Sequence, residues 1–225
     1  MSTSSLIIQR AAELLAASPN GNVSTRSICE AAGVGQPVMY RIFGDKEGLL
    51  AAVADYVWGE YLDSKRTAVP SADPLQDVRD GWDNHTAFAL AHPHAYRLVF
   101  ATTLSSPPDA AEEAMNLLQA ILERLAAQGR LRMSPAKAAR IVMAANSGIA
   151  LSLILRPSQF SDPSLSAVVR ETTLNSVASD IGTSSVSDAM DIAAVTLKTG
   201  LASSTAFTPA ESGLLAEWLT RIQTD

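Results

Sequence analysis

A short stretch near the N-terminus places an amide, a phenol and a guanidinium at helical spacing. Gln36, Tyr40 and Arg41 fall at positions i, i+4 and i+5, so on a helix they share one face. Such groups hydrogen-bond to base edges and to phosphate oxygens. Met39 and Phe43 lie four residues apart on another face and are predicted to point inward. The pattern therefore predicts an outward surface that contacts nucleic acid.

Two short helices joined by a turn are predicted to position this surface. Ser24 is the expected N-cap of a helix over 25–32, and Gly33 ends that helix. A second helix fits 36–43, and its Pro37 falls in the first turn, where a missing N–H costs no intrahelical bond. This arrangement is the outline of a helix-turn-helix. The apolar positions expected to hold it are Ile28, Ala31, Ala32, Val34, Met39 and Phe43.

The rest of the chain is also predicted to be helical. Leu-, Ala- and Val-rich stretches are interrupted by Pro, Gly, Ser and Asp, without sustained period-two alternation. A capping box at Thr208–Glu211 precedes the last helix, and Ser106-Pro107, Ser134-Pro135 and Asp162-Pro163 each place a capping side chain before a proline. The predicted helices cover 5–17, 25–32, 36–43, 46–66, 75–91, 94–104, 108–128, 136–155, 164–180, 187–202 and 209–223. The predicted fold class is all-α.

Composition excludes several classes of protein. The chain has 225 residues, of which 47% are hydrophobic and 18% charged, so a folded globular protein is expected rather than a disordered one. A single cysteine, Cys29, excludes an intramolecular disulfide and a multi-cysteine zinc site. No apolar run is expected to reach the roughly 18–20 residues that span a bilayer, and no signal peptide is recognised. A soluble cytoplasmic protein is the expectation.

The charge distribution limits how nucleic acid can be bound. The chain has 17 basic and 23 acidic residues, a net charge of −6, which argues against general nucleic-acid binding. Residues 1–67 hold 6 basic and 7 acidic residues, whereas residues 68–225 hold 11 and 16. Any affinity for DNA must therefore come from a small, focused set of cations in the first part.

The segment 24–50 carries a recognisable pattern of residues. Its members are Ser24, Ile28, Ala32, Gly33, Val34, Tyr40, Phe43, Lys46, Glu47, Leu49 and Leu50. This pattern resembles the DNA-binding head of the TetR (tetracycline repressor) family of bacterial regulators, and the body of the chain is similar to that family more weakly. The resemblance implies an N-terminal three-helix helix-turn-helix DNA-binding domain at 1–50 and a C-terminal helical-bundle domain for ligand binding and dimerisation at 51–225. The helix 46–66 would connect the two.

The resemblance implies which residues read the bases. Gln36 suits adenine and Arg26 suits guanine, because each side chain forms paired hydrogen bonds with that base. Val38 would touch a thymine methyl group, and Pro37 would pack against the bases beside it.

The resemblance also implies a set of phosphate contacts. Tyr40, Lys46 and Thr25 would hold phosphates, with Lys46 helped by the positive end of its helix, and Arg41 would take either role. Ile42 departs from the family, which often has His or Tyr there, and no Lys or Arg precedes residue 10. The resemblance therefore implies no polar contact to DNA from Ile42 and no contact from a cation before residue 10.

The resemblance also implies that residues 51–225 form a dimer and bind a small molecule, as in the family. Helices 136–155 and 187–202 are the predicted homodimer interface, because the first is rich in small residues that permit close approach; ordinary packing inside one subunit is the alternative. An effector cavity, mostly apolar with a few polar groups, is also expected. Its candidate lining residues are Trp82, His85, Phe88, Phe100, Met115, Met143, Asn146 and Ser147.

The sequence also bears on classes of function other than a DNA-binding regulator. No catalytic motif is present, and His92-Pro93-His94 lacks the carboxylates of a metal site, so no enzyme, metal or cofactor is predicted. A buried, inert thiol is the expectation for Cys29. A helical protein-interaction module, or a small-molecule-binding protein without DNA binding, remains the alternative. The expected function is a sequence-specific repressor that a small-molecule effector releases from a palindromic operator.

Overall fold

A computed structural model describes residues 2–104, 108–179, 186–201 and 204–222, and within them the chain forms eleven helices. No β-strand occurs in these ranges, where Leu131 and Ala178 form an isolated bridge. The predicted all-α fold and every predicted helix are confirmed. The helices are α1 (Thr3–Ala17), α2 (Thr25–Ala32), α3 (Gln36–Phe43), α4 (Lys46–Arg66), α5 (Pro74–Ala91), α6 (Pro93–Phe100), α7 (Asp109–Ala127), α8 (Pro135–Leu155), α9 (Leu165–Val177), α10 (Val186–Leu201) and α11 (Pro209–Ile222).

The predicted helix starts are mostly formed as the sequence suggests. The Ser24 hydroxyl accepts the N–H of Ser27 at 3.0 Å, so Ser24 caps α2. The Thr208 hydroxyl accepts the N–H of Glu211 at 3.3 Å, and the Glu211 carboxylate accepts the N–H of Thr208 at 2.8 Å. This reciprocal pair is the predicted capping box. The predicted Ser106-Pro107 start lies outside the described residues.

Two helices end three or four residues earlier than the sequence predicts, and the others agree within two residues at each end. α6 ends at Phe100 rather than at 104, because the Thr102 hydroxyl donates to the Arg97 carbonyl at 3.1 Å and closes the last turn. α9 spans Leu165–Val177 rather than the predicted 164–180. The Asp162 carboxylate accepts the N–H of Ser164 at 2.8 Å, which holds a turn ahead of the helix.

The chain divides into two compact units, each with its own set of segments. Unit 1 contains Met1–Ala68, Thr86–Ala114 and Ala150–Ser161. Within it, α1 packs on α2 and α4, and α6 packs on α4 and α1. The buried core that holds these helices together consists of Ile7, Ala11, Leu15, Val23, Ile28, Cys29, Ala32, Met39, Leu49, Val53, Ala54 and Leu98. Cys29 is buried as predicted, and burial raises the pKa of its thiol.

Unit 2 contains Val69–His85, Met115–Ile149 and Asp162–Asp225. Ion pairs join its first segment to later segments. Arg124 pairs with Asp77 at 2.7 Å, and Arg79 pairs with Glu171 at 3.0 Å. The hydrogen bond from Arg79 lowers the pKa of the Glu171 carboxyl. These pairs are partly screened by water, so they fix geometry more than they add stability.

The helix α8 corrects the expectation that no apolar stretch is long enough to span a bilayer. It spans 21 residues and has only two charged side chains, Lys137 and Arg140, so it is long and apolar enough to cross a membrane. Length and composition alone are weak evidence for a membrane span, because helices of soluble cores pass the same test. Only 33% of its most apolar 18-residue window is buried within the chain.

Candidate nucleic-acid interface

The recognition surface rests on α3, which is anchored from behind. Met39 has none of its surface exposed and lies in the core of unit 1, and Phe43 packs partly buried against the same core. A helix of eight residues is not stable alone in water, so these contacts hold it in place. One predicted anchor is wrong: Ala31 is exposed, because its position on α2 faces away from that core.

The outer face of α3 is open to solvent. Gln36, Pro37 and Arg41 are exposed, the Tyr40 side chain is 43% exposed, and Val38 is half-buried. The amide, phenol and guanidinium therefore share an accessible surface, with the buried Met39 behind it. A helix with this division of groups can enter the major groove of a duplex.

A neighbouring cation on α2 has an acidic partner that sequence reasoning missed. The Arg26 Nε donates to the Glu30 carboxylate at 2.8 Å, and both side chains are largely exposed. This hydrogen bond raises the pKa of Arg26, so the side chain stays charged. Thr25, the residue before it, is half-buried. The i, i+4 spacing of Arg26 and Glu30 in the sequence could have predicted this ion pair.

The start of α4 supplies another cation beside the turn between α1 and α2. The Asp45 carboxylate caps α4 by accepting the N–H of Gly48 at 2.8 Å. Lys46 follows, half-buried, and its Nζ donates to the Asn22 amide oxygen at 3.4 Å. The sequence did not predict a role for Asn22, because a single amide in a turn belongs to no motif or periodic pattern. It is exposed and supplies a polar group next to Lys46.

Some cations of the first four helices form ion pairs with carboxylates. Arg10 bonds Glu13 at 2.7 Å, and Arg26 bonds Glu30. Among the ion pairs of the described residues, none joins Arg41 or Lys46 to a carboxylate. Arg41, at the end of α3, and Lys46, at the start of α4, are therefore the candidates to contact phosphates, and the carboxylates of Asp45 and Glu47 flank Lys46 in the sequence.

The predicted effector residues fall in both units. Phe88 and Phe100 belong to unit 1, and the other six belong to unit 2. Trp82, His85, Met143 and Asn146 are buried, whereas Met115 and Ser147 are half-buried. The indole N–H of Trp82 donates to the Ser166 hydroxyl at 3.0 Å, and the Ser147 hydroxyl donates to the Ala144 carbonyl at 3.3 Å.

An aromatic cluster in unit 1 was not predicted. The Trp58 ring lies 4.6 Å from Phe88 and 5.7 Å from both Tyr96 and Phe100, centroid to centroid. Trp58 and Tyr96 are fully buried, and burial raises the pKa of Tyr96 and of Tyr61. Spacings of three and four residues on α4 and α6 were the signal for this cluster.

His92 lies near that cluster, and His94 lies beside the turn between α1 and α2. The His92 ring is 4.8 Å from Phe88, centroid to centroid. A side chain added at Gly21, which has φ +73°, would meet the His94 Nδ1 at 2.5 Å. Across the part of the chain that is described, no three His, Cys, Asp or Glu residues are grouped as metal ligands.

Two family models match the chain in succession. The model for bacterial regulatory proteins of the tetR family matches residues 7–53, and the model for a tetracyclin repressor-like C-terminal domain matches residues 78–172. No curated protein matches the chain.

Solved structures share the fold at low sequence identity. A TetR variant from Acinetobacter baumannii AYE, in complex with minocycline, is 20% identical, with a TM-score of 0.57 over 74% of this chain and 89% of that one. SmeT, the repressor of the Stenotrophomonas maltophilia multidrug efflux pump SmeDEF, is 18% identical, with a TM-score of 0.59 over 80% and 93%. FadR from Bacillus subtilis, in complex with stearoyl-CoA, is 16% identical, with a TM-score of 0.59 over 75% and 96%.

The two models cover the helix-turn-helix and most of the helices that follow it. Together with the exposed polar face of α3, they show that the chain is a transcriptional regulator of the TetR family, with an N-terminal DNA-binding domain and a C-terminal ligand-binding domain.

Proposed function

We propose that this regulator is a repressor that binds a palindromic operator through α3 and releases it when a small molecule binds. The observation that supports this most strongly is the accessible face of Gln36, Tyr40 and Arg41 above the buried Met39. A helix that binds a protein partner would instead display apolar anchors on that face. The SmeT match agrees with a repressor.

The proposed roles divide the interface into base readers and phosphate contacts. Gln36 and Arg26 contact base edges, while Val38 and Pro37 make apolar contacts beside them. Tyr40, Lys46 and Thr25 hold phosphates, and Arg41 serves either purpose. Arg26 leaves Glu30 at little cost, since exposed i, i+4 pairs contribute only a few tenths of a kcal/mol.

Two substitutions separate these roles. Gln36→Ala removes a paired base contact, so it should cost about 1–3 kcal/mol on the operator and relax sequence preference. Lys46→Ala should weaken binding to all DNA similarly and reduce the salt dependence of affinity. Equal losses on operator and random DNA for both variants would contradict the division. An affinity that does not change with salt would favour a protein-interaction module.

We propose that residues 1–50 form the DNA-binding domain, that residues 51–225 bind the effector and the second subunit, and that α4 joins the two.

The homodimer interface is assigned to α8 and α10. Ala144 and Gly148 on α8 are exposed although the helix is strongly apolar, whereas its Ala138 and Ala139 are buried within the chain. A dimer places two recognition helices on the two halves of a palindrome.

Effector release is proposed to be a shift between two populations. An effector that binds one geometry of the body more tightly moves α4 and changes the separation of the recognition helices, with a coupling of about 1–3 kcal/mol. A ligand that both raises the thermal midpoint and lowers operator affinity would support this proposal. A ligand that stabilises the protein without changing operator affinity would contradict it. We propose a cytoplasmic location, because the proposed target is DNA.

A further inference from the structure

The turn between α1 and α2 is held in one shape by hydrogen bonds to its own backbone. The N–H of Asn22 donates to the Ser18 hydroxyl and to the Asn20 amide oxygen, both at 3.1 Å. The Ser18 hydroxyl donates to the Asn22 carbonyl at 3.1 Å, and the next residue, Val23, is buried in the core of unit 1. These bonds use only the backbone of Asn22, so its exposed side chain is available for another contact.

That side chain contacts the ammonium group of Lys46. The Asn22 amide oxygen accepts from the Lys46 Nζ at 3.4 Å, which is long for a hydrogen bond, so a phosphate can compete for the same ammonium. An ammonium carries three donors, and one bond to Asn22 leaves two for a phosphate. A lysine loses rotamer freedom when it is fixed on DNA, and a contact made beforehand reduces that loss.

A ring from α6 packs against the same turn. Gly21 has φ +73°, and a Cβ there would lie 2.5 Å from the Nδ1 of His94 and 3.1 Å from its Cγ. The His94 Nδ1 is buried and makes no hydrogen bond within the described part of the chain, so the ring acts on the turn by its shape. Leu98, four residues later on α6, lies in the same core as Val23.

These contacts connect the two parts of the chain that separate family models match. Gly21, Asn22 and Lys46 lie in the DNA-binding match at 7–53, whereas His94 lies in the C-terminal match at 78–172. All four residues nevertheless belong to unit 1, in which α6 packs on α1. A residue of the C-terminal domain therefore contacts the turn that carries the partner of Lys46.

We propose that Asn22 positions Lys46 for its phosphate contact, and that His94 holds the turn that carries Asn22. This role rests on the proposed contact of Lys46 with phosphate and goes beyond it, because it assigns DNA affinity to two residues that act through Lys46. It also gives α6 a connection to a phosphate contact that is separate from the proposed movement of α4.

Affinity for a random-sequence duplex at low salt tests the positioning of Lys46. Asn22→Ala should weaken binding about fivefold, the size of one ordinary hydrogen bond. The slope of log affinity against log salt should stay the same, because no charge is lost, whereas Lys46→Ala should lower the slope by about one. Gln119→Ala removes an amide that bonds Glu123 on α7, and as the matched control it should bind as the wild-type chain does.

The same substitutions in a Lys46→Ala background separate positioning from damage to the fold. His94→Ala should weaken binding by the wild-type chain at least about twofold, and Asn22→Ala about fivefold. Both effects should vanish in the Lys46→Ala background, because both residues act through Lys46. A loosened helix-turn-helix would instead weaken binding in both backgrounds. Equal losses in the two backgrounds, or wild-type affinity for either single variant, would overturn the inference.

The random duplex keeps this test apart from the test of the proposed function. A chain that shows the coupling to Lys46 but selects no palindrome would refute the proposed repressor and leave the positioning of Lys46 standing. A chain that selects a palindrome without the coupling would refute the positioning alone.

Discussion

Replacing Met39 with alanine tests whether the core behind α3 holds the recognition surface. Met39 is fully buried and packs in the core of unit 1, so the change leaves a cavity under an eight-residue helix. Substitutions of this kind cost about 2–5 kcal/mol. We take about 3 kcal/mol, because a helix of two turns has few other contacts with which to close the cavity.

Hydrogen exchange on the full chain measures this loss locally. A loss of about 3 kcal/mol lowers the protection of amides in α1–α4 by about 100-fold, since each 1.4 kcal/mol is a factor of ten. Ile42→Ala is the matched control on the same helix, because Ile42 is 38% exposed and should change protection by less than about 0.5 kcal/mol. Equal effects of the two substitutions would refute the division of α3 into a buried and an exposed face.

Three further substitutions each alter one contact and should change DNA affinity or stability. Glu30→Gln frees the base-reading Arg26 and removes a negative charge from the DNA side, so affinity should rise for all DNA and at least as much for the operator; a rise for random DNA alone in filter binding would contradict this. Burial raises the pKa of the Asp55 carboxyl, so its charged form destabilises the fold and stability falls as pH rises through that pKa. Asp55→Asn keeps an oxygen to accept the Ala110 N–H, so thermal melts should show higher stability above that pKa and a flatter pH dependence; an unchanged pH dependence would contradict this. Gly21→Ala should destabilise unit 1 by about 1–3 kcal/mol, and adding His94→Ala should restore only the part caused by the clash; full restoration in urea melts would mean that the left-handed backbone costs nothing.

Helix positions were predictable because their signals are local. Ser24, Asp45 and the Thr208–Glu211 box each cap a helix through a residue three positions away. The end of α9 was not predictable in the same way. The N–H of Ser179 donates to the carbonyl of Arg130 at 3.0 Å, and that pairing between distant parts of the chain draws residues 178 and 179 out of the helix.

The recognition face was predictable because helical periodicity alone places Gln36 and Tyr40 on one face of α3 and Met39 on another. Partners from other elements were not: the bond from Lys46 to Asn22 joins residues 24 positions apart. The aromatic cluster around Trp58 was also missed, because it combines three helices whose packing no single periodicity describes.

Selection of bound duplexes from a random pool tests the central claim most directly. The wild-type chain should enrich a palindrome whose half-sites lie about one helical turn, or a multiple of it, apart. Gln36→Ala should retain the spacing and lose preference at the base pairs that the amide contacts. Enrichment of no common sequence by the wild-type chain, or an identical palindrome from Gln36→Ala, would contradict the assignment of α3 as the helix that reads DNA.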